Sequence, residues 1–590
     1  MSSNRNKLVS AAINRAYILI DYDKNEEEQY ESIKQIILTD ESLTNNEKLG
    51  AINIISKDFD GFKILDNKGT KRNCVNCQKE CLAELYCEHC VRNYLEAQFS
   101  KWTSGNEKID SIIQKCQMET VSPDKIIEWI PYNNLQNIKY LTKGGCSEIY
   151  TADWIDGRYE EWDSKEKQLK RVCAHVVVLK KLENIENTNR NWFNETRSHF
   201  AISNKYGSVV QCYGLTKDPS NGNYILVMNK MKMSLREYLR QNSNNLTWKR
   251  KIQIADDIIF ALFNIHEEKL IHRDLHSGNI LFNEDSQIFY ICDLGFCGPA
   301  DVPLNGTYGN LPYIAPEIIG GKETTPASDI YSIGMLMWEI SSGQPPFINS
   351  DNDFDLALKI INGMRPKIIP GTPLKYKKLM EQCWDADSTK RPNIFHLDNE
   401  IFEINKLYYQ NDNDEQLNCL NINDMNISLN LANSLISSFS KIHIFGEMPE
   451  PRNFTEEEQE EAYYSIQQDL IVPDSKYISG YKPENNDSKV IIGKNAKDES
   501  ERIYSNNLEN ENFRKIKLSK DKEIQIDNKG AFNYIRKNYV TNTSMNDDDD
   551  DDIYNNPNLH SEEQDELEIF EGKLYKHIST KAISICTRGV

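Results

Sequence analysis

Hydrophobic and polar positions divide the chain into segments of different pattern. Residues 1–70 alternate helical periodicity with polar breaks, and residues 44–47 (Thr-Asn-Asn-Glu) have the pattern of a helix capping box. Residues 96–133 are also predicted to be helical and to act as a linker. From 134 to 404, short β-rich runs such as 174–179 come first and long helical segments follow. This order predicts an α+β domain with two lobes.

The composition changes after about residue 410. Asn, Asp, Glu, Ser and Lys dominate there, and residues 547–552 are an unbroken run of aspartate. Such segments bury too little apolar surface to offset chain entropy. The pattern therefore predicts that 405–590 is a low-complexity, acidic and mostly disordered tail. The aspartate run is either a solvated segment or, as the alternative, a partner-binding element.

Charge and hydropathy restrict the kinds of partner. The net charge of −21 makes general attraction to nucleic acid or to an anionic membrane unfavourable, so no nucleic-acid partner is expected. No segment approaches the roughly 20 apolar residues of a membrane span. The apolar stretch at 16–20 is too short for a signal-peptide core. We therefore expect a cytoplasmic protein whose fourteen cysteines are thiols or metal ligands rather than disulfides.

Residues 71–95 are rich in cysteine. Cys74 and Cys77 form one C-x2-C pair, Cys87 and Cys90 form another, and nine residues separate the pairs. Two such pairs supply four thiolates, which is the ligand set of a structural zinc ion. The alternatives are redox-active thiols or a helical segment with unrelated cysteines. Few basic residues surround the pairs, so protein contact or stabilisation is favoured over nucleic-acid binding.

Several short motifs follow one another in the two-lobed region. Residues 272–279 read His-Arg-Asp-Leu-His-Ser-Gly-Asn, 177–180 read Val-Val-Leu-Lys, 293–295 read Asp-Leu-Gly, and 315–317 read Ala-Pro-Glu. In this order they resemble the motifs of eukaryotic protein kinases, over about 137–397. Three further features resemble the tyrosine-kinase-like branch of that family: Trp338-Glu339-Ile340, Pro345-Pro346-Phe347 and Cys383-Trp384. The resemblance implies a bilobal fold with a β-rich N-lobe and a helical C-lobe, and ATP, Mg²⁺ and protein substrates.

The resemblance also implies the roles of individual residues. Asp274 would accept the proton of the substrate hydroxyl, and Asn279 and Asp293 would bind magnesium. Lys180 would contact the α- and β-phosphates, with Glu195 of the following helix as its partner.

Residues 141–152 resemble the glycine-rich hairpin of kinases, with Thr142 and Ser147 in place of the first and third glycines. The nucleotide-binding positions implied by the resemblance are Thr142, Lys143, Gly144, Gly145, Ile149, Val178, Lys180, Met228, Met231 and Leu281.

Other matched positions are structural or regulatory in the family. Glu317 and Arg391 are expected to form a buried pair, and Asp329 to hold the catalytic loop. Arg273 precedes Asp274, which in the family accompanies activation by phosphorylation of the loop. Thr307 and Tyr308 are the only hydroxyl residues between Asp293 and Leu311, so a loop phosphate that pairs with Arg273 is expected on one of them.

Together these motifs predict an ATP-dependent protein kinase that transfers the γ-phosphate to Ser or Thr of proteins. His276 stands where Ser/Thr kinases usually carry lysine, and Asn310 where they usually carry threonine, so tyrosine or dual specificity stays open. His276 could donate to the γ-phosphate with a charge that depends on pH. The alternative functions are a pseudokinase scaffold and a zinc-dependent adaptor.

Overall fold

Three helices precede the cysteine-rich segment: α1 (Ser3–Leu19), α2 (Glu26–Thr39) and α3 (Asn45–Asp66). The computed structural model describes residues 3–21, 24–143, 147–182, 192–299, 307–348, 352–410, 440–446 and 448–471. The predicted capping box is confirmed, because Glu47 accepts from the Thr44 amide at 2.8 Å and its own amide donates to the Thr44 hydroxyl. Ile13, Ile33 and Ile55 are fully buried, so each helix contributes to one apolar core.

The cysteine-rich segment is a small hairpin followed by a helix. The hairpin consists of β1 (Arg72–Asn73) and β2 (Glu80–Cys81), and α4 (Glu88–Glu96) follows. The predicted helical linker contains the single α-helix α5 (Glu107–Met118), whereas β3 (Glu128–Trp129) is a strand. Pro123 and Pro131 border that strand, and β-branched isoleucines at 126, 127 and 130 favour extended backbone over helix.

The first lobe is built on a six-stranded sheet. Its remaining elements in chain order are β4 (Leu135–Lys143), β5 (Glu148–Trp154), the separate hairpin β6 (Tyr159–Asp163) and β7 (Gln168–Arg171), β8 (His175–Lys181), α6 (Trp192–Ser203), β9 (Cys212–Lys217) and β10 (Tyr224–Asn229). The strand order is β3-β9-β10-β8-β5-β4. Because β8 lies between β10 and β5, Lys180 is placed on a central strand of this sheet.

The second lobe is mostly helical. Its elements are β11 (Met233–Ser234), α7 (Leu235–Asn242), α8 (Trp248–Glu267), β12 (Ile280–Asn283), β13 (Ile288–Ile291), β14 (Thr307–Gly309), α9 (Pro316–Ile319), α10 (Pro326–Ser342), α11 (Asp353–Ile361), α12 (Leu374–Cys383) and α13 (Ile394–Gln410). Its largest buried cluster is formed by the apolar faces of α8, α10 and α12. The predicted α+β bilobal fold is therefore confirmed.

Some residues of the predicted tail region belong to defined elements. Helix α13 continues to Gln410, and two further elements follow, β15 (Lys441–His443) and α14 (Glu456–Ile471). Residues 440–446 and 448–463, here called the strap, lie against the helical lobe because Phe445 and Met448 pack on its core. Residues 411–439 and 472–590 of the predicted tail lie outside the described residues.

The described residues up to Tyr464 belong to one compact unit. Residues 465–571 belong to a second unit, of which the structure describes the last residues of α14. None of the helices within the described ranges combines the length and the apolarity that crossing a bilayer requires.

Candidate functional site

Lys180 lies between two carboxylates at the junction of the lobes. Its Nζ is 2.6 Å from Oε1 of Glu195 on α6 and 2.6 Å from Oδ1 of Asp293, which follows β13. Lys180 and Glu195 are buried. Burying a charge is costly unless an opposite charge lies next to it, and here the ammonium of Lys180 and the carboxylate of Glu195 compensate each other. The structure thus brings Lys180 and Glu195 together with Asp293, which is 113 positions from Lys180 in the sequence.

The catalytic loop between α8 and β12 is held by a buried carboxylate of α10. Asp329 accepts from the backbone amides of His272 at 2.8 Å and Arg273 at 2.9 Å, and from Nε2 of His266 at 2.9 Å. Burial acts to raise the pKa of Asp329, but the hydrogen bond and charge of His266 outweigh it and lower the pKa. Asp329 thus connects α10 to the backbone of the catalytic loop.

Asp274 and Asn279 lie side by side at the end of this loop. Nδ2 of Asn279 donates to the backbone carbonyl of Asp274 at 2.9 Å and approaches its Oδ2 at 3.4 Å. Asp293 has a positive φ of 57°, and its Oδ1 accepts from the amide of Gly295 at 3.2 Å. These contacts fix the carboxylates of Asp274 and Asp293 and the amide of Asn279 in defined orientations.

His276 is a buried residue of the catalytic loop. Burial, followed by the positive charge of Arg236, lowers its pKa to about 3. Its Nδ1 accepts from the amide of Gly278 at 3.1 Å. Because a neutral imidazole carries one proton, Nε2 is the nitrogen that donates. A pKa lowered in this way favours a neutral ring near pH 7, so it argues against a charge on His276 that varies with pH in that range.

The implied nucleotide-binding residues lie on the first lobe and on the connection to the second. Thr142 pairs with Ile149, and Lys143 with Glu148, across the β4–β5 hairpin. Val178 of β8 pairs with Met228 at the end of β10. Met231 follows, and Leu281 is in β12. Gly144 and Gly145 lie outside the described residues.

A buried ion pair joins the end of the activation segment, which runs from Asp293 to Glu317, to the base of the second lobe. Both oxygens of Glu317 accept from Arg391, with Nη1 to Oε1 at 2.7 Å and Nη2 to Oε2 at 2.6 Å. Arg391 also donates to the carbonyls of Asp385 and Ala327. This is the fork geometry in which arginine binds a carboxylate most strongly.

Of the expected regulatory residues, Arg273 lies in the catalytic loop, and Thr307 and Tyr308 lie in the activation segment. Arg273 donates to the carbonyl oxygens of Pro299 at 2.6 Å and Phe296 at 3.4 Å. Tyr308 is buried, with its ring stacked on Phe296 at 3.8 Å, and the Thr307 hydroxyl donates to the carbonyl of Ile318. A phosphate on Tyr308 would require this stacked ring to leave its place. Pairing of a loop phosphate with Arg273 stays a prediction.

Sequence reasoning missed one residue of the site, Ser440 at the start of the strap. Its Oγ lies 2.7 Å from Oδ1 of Asp274 and 3.0 Å from Nε2 of His276. The signal that could have found it is the alternation of residues 441–445, Lys-Ile-His-Ile-Phe, which is typical of a strand in an otherwise polar stretch.

The four predicted zinc ligands are gathered in one place. The Sγ atoms of Cys74, Cys77, Cys87 and Cys90 all lie within 4.8 Å of one another. Sγ of Cys74 is 3.7 Å from that of Cys90, and Sγ of Cys77 is 3.6 Å from that of Cys87. Tetrahedral zinc with bonds of about 2.3 Å sets its sulfurs about 3.8 Å apart, so the donor set fits the ion.

Residues 135–401 match the family model described as protein tyrosine and serine/threonine kinase. The serine/threonine-protein kinase pats1 of Dictyostelium discoideum is 27% identical over 319 residues, which cover 51% of this chain and 9% of that protein. A LIM domain-containing serine/threonine-protein kinase of the same organism is 29% identical over 209 residues, covering 35% of this chain and 32% of that protein.

A dual serine/threonine and tyrosine protein kinase of Gallus gallus is 30% identical over 200 residues, covering 33% of this chain and 21% of that protein. The matched region spans about a tenth of the length of pats1, and at most about a third of the length of the other two. The match to the family model and the ordered kinase motifs agree over the same residues. Residues 135–401 of this chain are therefore a protein kinase domain.

Proposed function

We propose that the chain is an ATP- and Mg²⁺-dependent protein kinase that phosphorylates Ser and Thr of proteins. The observation that carries this proposal is the position of Lys180 between Glu195 and Asp293, with each Nζ–O distance 2.6 Å. Phosphoryl transfer depends on positioning and charge neutralisation more than on covalent chemistry. A lysine fixed by two acids beside an oriented Asp274 meets both needs.

Each residue of these motifs has a proposed part in the transfer. Glu195 orients the ammonium of Lys180 toward the α- and β-phosphates, and Asp274 accepts the proton of the attacking hydroxyl. Asn279 and Asp293 are the proposed magnesium ligands, which fits the preference of this ion for oxygen donors. When bound, magnesium neutralises charge on the phosphates.

The short distance between the acceptor position and the paired backbone supports Ser and Thr as acceptors. The hydroxyl that lies 2.7 Å from Asp274 Oδ1 belongs to a serine whose neighbours 441–443 pair with 307–309. In tyrosine a phenyl ring separates the hydroxyl from the backbone. A tyrosine whose hydroxyl reached Asp274 would therefore hold its backbone too far away for the pairing with residues 307–309. Of the specificities that the sequence left open, the geometry favours Ser/Thr.

The test is transfer from Mg-ATP to a general protein acceptor such as casein by the purified full chain. We expect Asp274→Asn and Asp293→Ala to lower the rate by about 10²–10⁴-fold. Glu403→Gln, a matched acid-to-amide change on the exposed face of α13, should leave the rate unchanged. Equal rates for all variants, or no transfer by any, would contradict the proposal and favour the pseudokinase alternative.

We also propose that Cys74, Cys77, Cys87 and Cys90 hold a structural zinc ion. The distances of 3.6 and 3.7 Å between sulfurs of different pairs support this. Four protein ligands leave no open position, so the ion would stabilise rather than catalyse. The gathered thiols also support a proposed intracellular setting, where cysteines stay reduced, and the net charge supports protein rather than nucleic-acid partners.

A further inference from the structure

The strap brings a hydroxyl of this same chain to the proposed catalytic base. Ser440 Oγ donates to Asp274 Oδ1 at 2.7 Å, although 166 positions separate the two residues. A candidate general base must lie within hydrogen-bond reach of the proton that it accepts. Ser440 therefore stands where an acceptor hydroxyl has to stand.

The hydrogen bonds around Ser440 orient its proton. The Gly278 amide donates to Nδ1 of His276, so the ring proton is on Nε2, which lies 3.0 Å from Ser440 Oγ. The Ser440 hydroxyl then donates its own proton to Asp274. This chain of donors directs the proton toward the carboxylate, and the serine oxygen keeps a lone pair for attack on phosphorus.

The residues after Ser440 are held as a strand along the activation segment. In the antiparallel pairing of β15 with β14, Lys441 lies opposite Gly309 and His443 opposite Thr307. His443 Nε2 also lies 3.1 Å from the Gly309 carbonyl oxygen. Backbone pairing of an extended peptide with a strand edge is a general mode of peptide recognition.

Gly309 allows this close approach to the base. Its φ is +138°, and a Cβ placed on it would lie 3.5 Å from Asp274 Oδ1 and 3.2 Å from the side chain of Ile314. A glycine at this position lets the edge that binds the strap run directly beside Asp274. The acceptor position and the peptide-pairing edge are therefore parts of one site.

An ion pair and an apolar contact fix the position of the strap along β14. Lys441 Nζ lies 2.6 Å from Oδ2 of Asp353 at the start of α11. Phe445 stacks on His443, with ring centroids 5.5 Å apart, and packs on the core of the helical lobe. The contact with Asp353 favours a basic residue directly after the acceptor.

The rest of the strap is attached to the base of the helical lobe. The Arg452 amide donates to the Ile361 carbonyl at 3.0 Å, and Asn453 bonds the Ala386 amide and the Asp385 carboxylate, each at 2.9 Å. Gln459 Nε2 donates to the Arg365 carbonyl at 3.0 Å. Because the strap belongs to the same chain and is held on this lobe, Ser440 has a high effective concentration at the site.

From these contacts we propose that Ser440 is a phosphoacceptor that the kinase domain of the same chain modifies, with residues 440–446 in the peptide-substrate site. The proposal rests on the proposed kinase function. In the step, Ser440 Oγ forms a bond to the γ-phosphorus of ATP, and the bond from that phosphorus to the β,γ-bridging oxygen breaks. ADP leaves with the bonding pair, and the hydroxyl proton passes to Asp274.

The experiment uses the full chain, freed of phosphate by phosphatase and then incubated with Mg-ATP. Mass spectrometry follows the phosphopeptide containing Ser440 over time, at two protein concentrations about tenfold apart. We expect phosphate on Ser440 with the same first-order rate constant at both concentrations. Ser440→Ala should remove that phosphopeptide, whereas Ser438→Ala, a nearby change of the same kind, should leave the rate at Ser440 unchanged.

A second variant tests the docked geometry away from the reacting atoms. Phe445→Ala removes a packing contact of the strap and should slow phosphorylation of Ser440 about tenfold through the lower effective concentration. Transfer to a separate serine peptide should rise in the same variant, because the competing segment leaves the site more often.

Three results would overturn the proposal. The first is transfer to the separate peptide with no phosphate on Ser440, which leaves the kinase function intact. The second is a rate at Ser440 that grows in proportion to protein concentration. The third, no transfer to any acceptor, would overturn the kinase function together with this inference.

Discussion

Lys180, Glu195 and Asp293 show what short motifs can predict at the scale of single residues. Each was found from its neighbours along the chain, and the structure joins Lys180 to both acids at 2.6 Å. The lowered pKa of His276 could not be predicted from neighbouring residues in the sequence, because it results from burial and from Arg236, which is distant along the chain. Ser440 was missed because its partner Asp274 is 166 positions away. Local pattern carries no information about such a contact.

The buried His199 on α6 should make the stability of the protein depend on pH. Burial, followed by the charge of Lys180, lowers its pKa to about 4, while Glu195 and Asp293 act in the opposite direction. Neither ring nitrogen has a hydrogen-bond partner within the described part of the chain. Its folded-state pKa lies below the unfolded value, so below the unfolded pKa the unfolded chain binds more protons. The stability that His199 contributes is therefore lost as pH falls.

We expect His199→Leu to make the protein less sensitive to acid. Between about pH 7.5 and about pH 5 the wild type should lose about 2 kcal/mol more unfolding free energy than the variant. Urea unfolding at several pH values measures the difference. If the wild type and the variant lost the same unfolding free energy over this pH range, His199 would not be a buried neutral group.

At the scale of elements, the sequence predicts strands and helices better than their pairing. The β-rich run at 174–179 indicated β8, but residues 96–133 were predicted to be helical and include the strand β3. That strand exists because Glu128 and Trp129 pair in parallel with Gly214 and Leu215 of β9. A two-residue strand has too few positions to show a period, so only tertiary pairing reveals it.

The buried pair Glu317–Arg391 should control the stability of the second lobe. Arg391→Ala leaves a buried carboxylate without its two donors, which we expect to lower the unfolding free energy by about 3–5 kcal/mol. Lys390→Ala is the control, because Lys390 is exposed and its contact with Asp387 is 3.9 Å long; its effect should be below about 1 kcal/mol. Urea unfolding measures both, and equal effects would contradict a special role of the buried pair.

The cysteine cluster should bind zinc and need it for local stability. We expect the purified chain to contain about one zinc per molecule and to lose melting temperature on chelation. Cys90→Ser should lower zinc content and stability together, whereas Cys173→Ser, at an exposed free cysteine, should change neither. Metal analysis and thermal unfolding are the measurements. Unchanged melting after complete removal of zinc would exclude a structural ion.

At the scale of the whole molecule, the N-terminal helices are part of the same core as the kinase domain. Ile13 and Ile55 share one buried cluster with Met228 of β10 and with Tyr290 of β13. The Ser10 hydroxyl donates to the Asp285 carbonyl at 2.7 Å. Helical periodicity predicted apolar faces for these helices but not what those faces contact. The match to the family model begins at residue 135 and does not include them.

This shared core predicts that α1 and the kinase domain unfold together. Ile13→Ala removes a fully buried side chain and should lower the unfolding free energy by about 2–5 kcal/mol. All eight tryptophans lie between residues 102 and 384, so their fluorescence reports on parts of the chain outside α1. We expect the fluorescence transition in urea to move to lower concentration in Ile13→Ala and to coincide with the loss of kinase activity. Leu8→Ala, on the same helix but 40% exposed, should shift it far less. An unchanged tryptophan transition in Ile13→Ala would mean that the helices fold separately from the kinase domain, and that the buried cluster joining them contributes little to its stability.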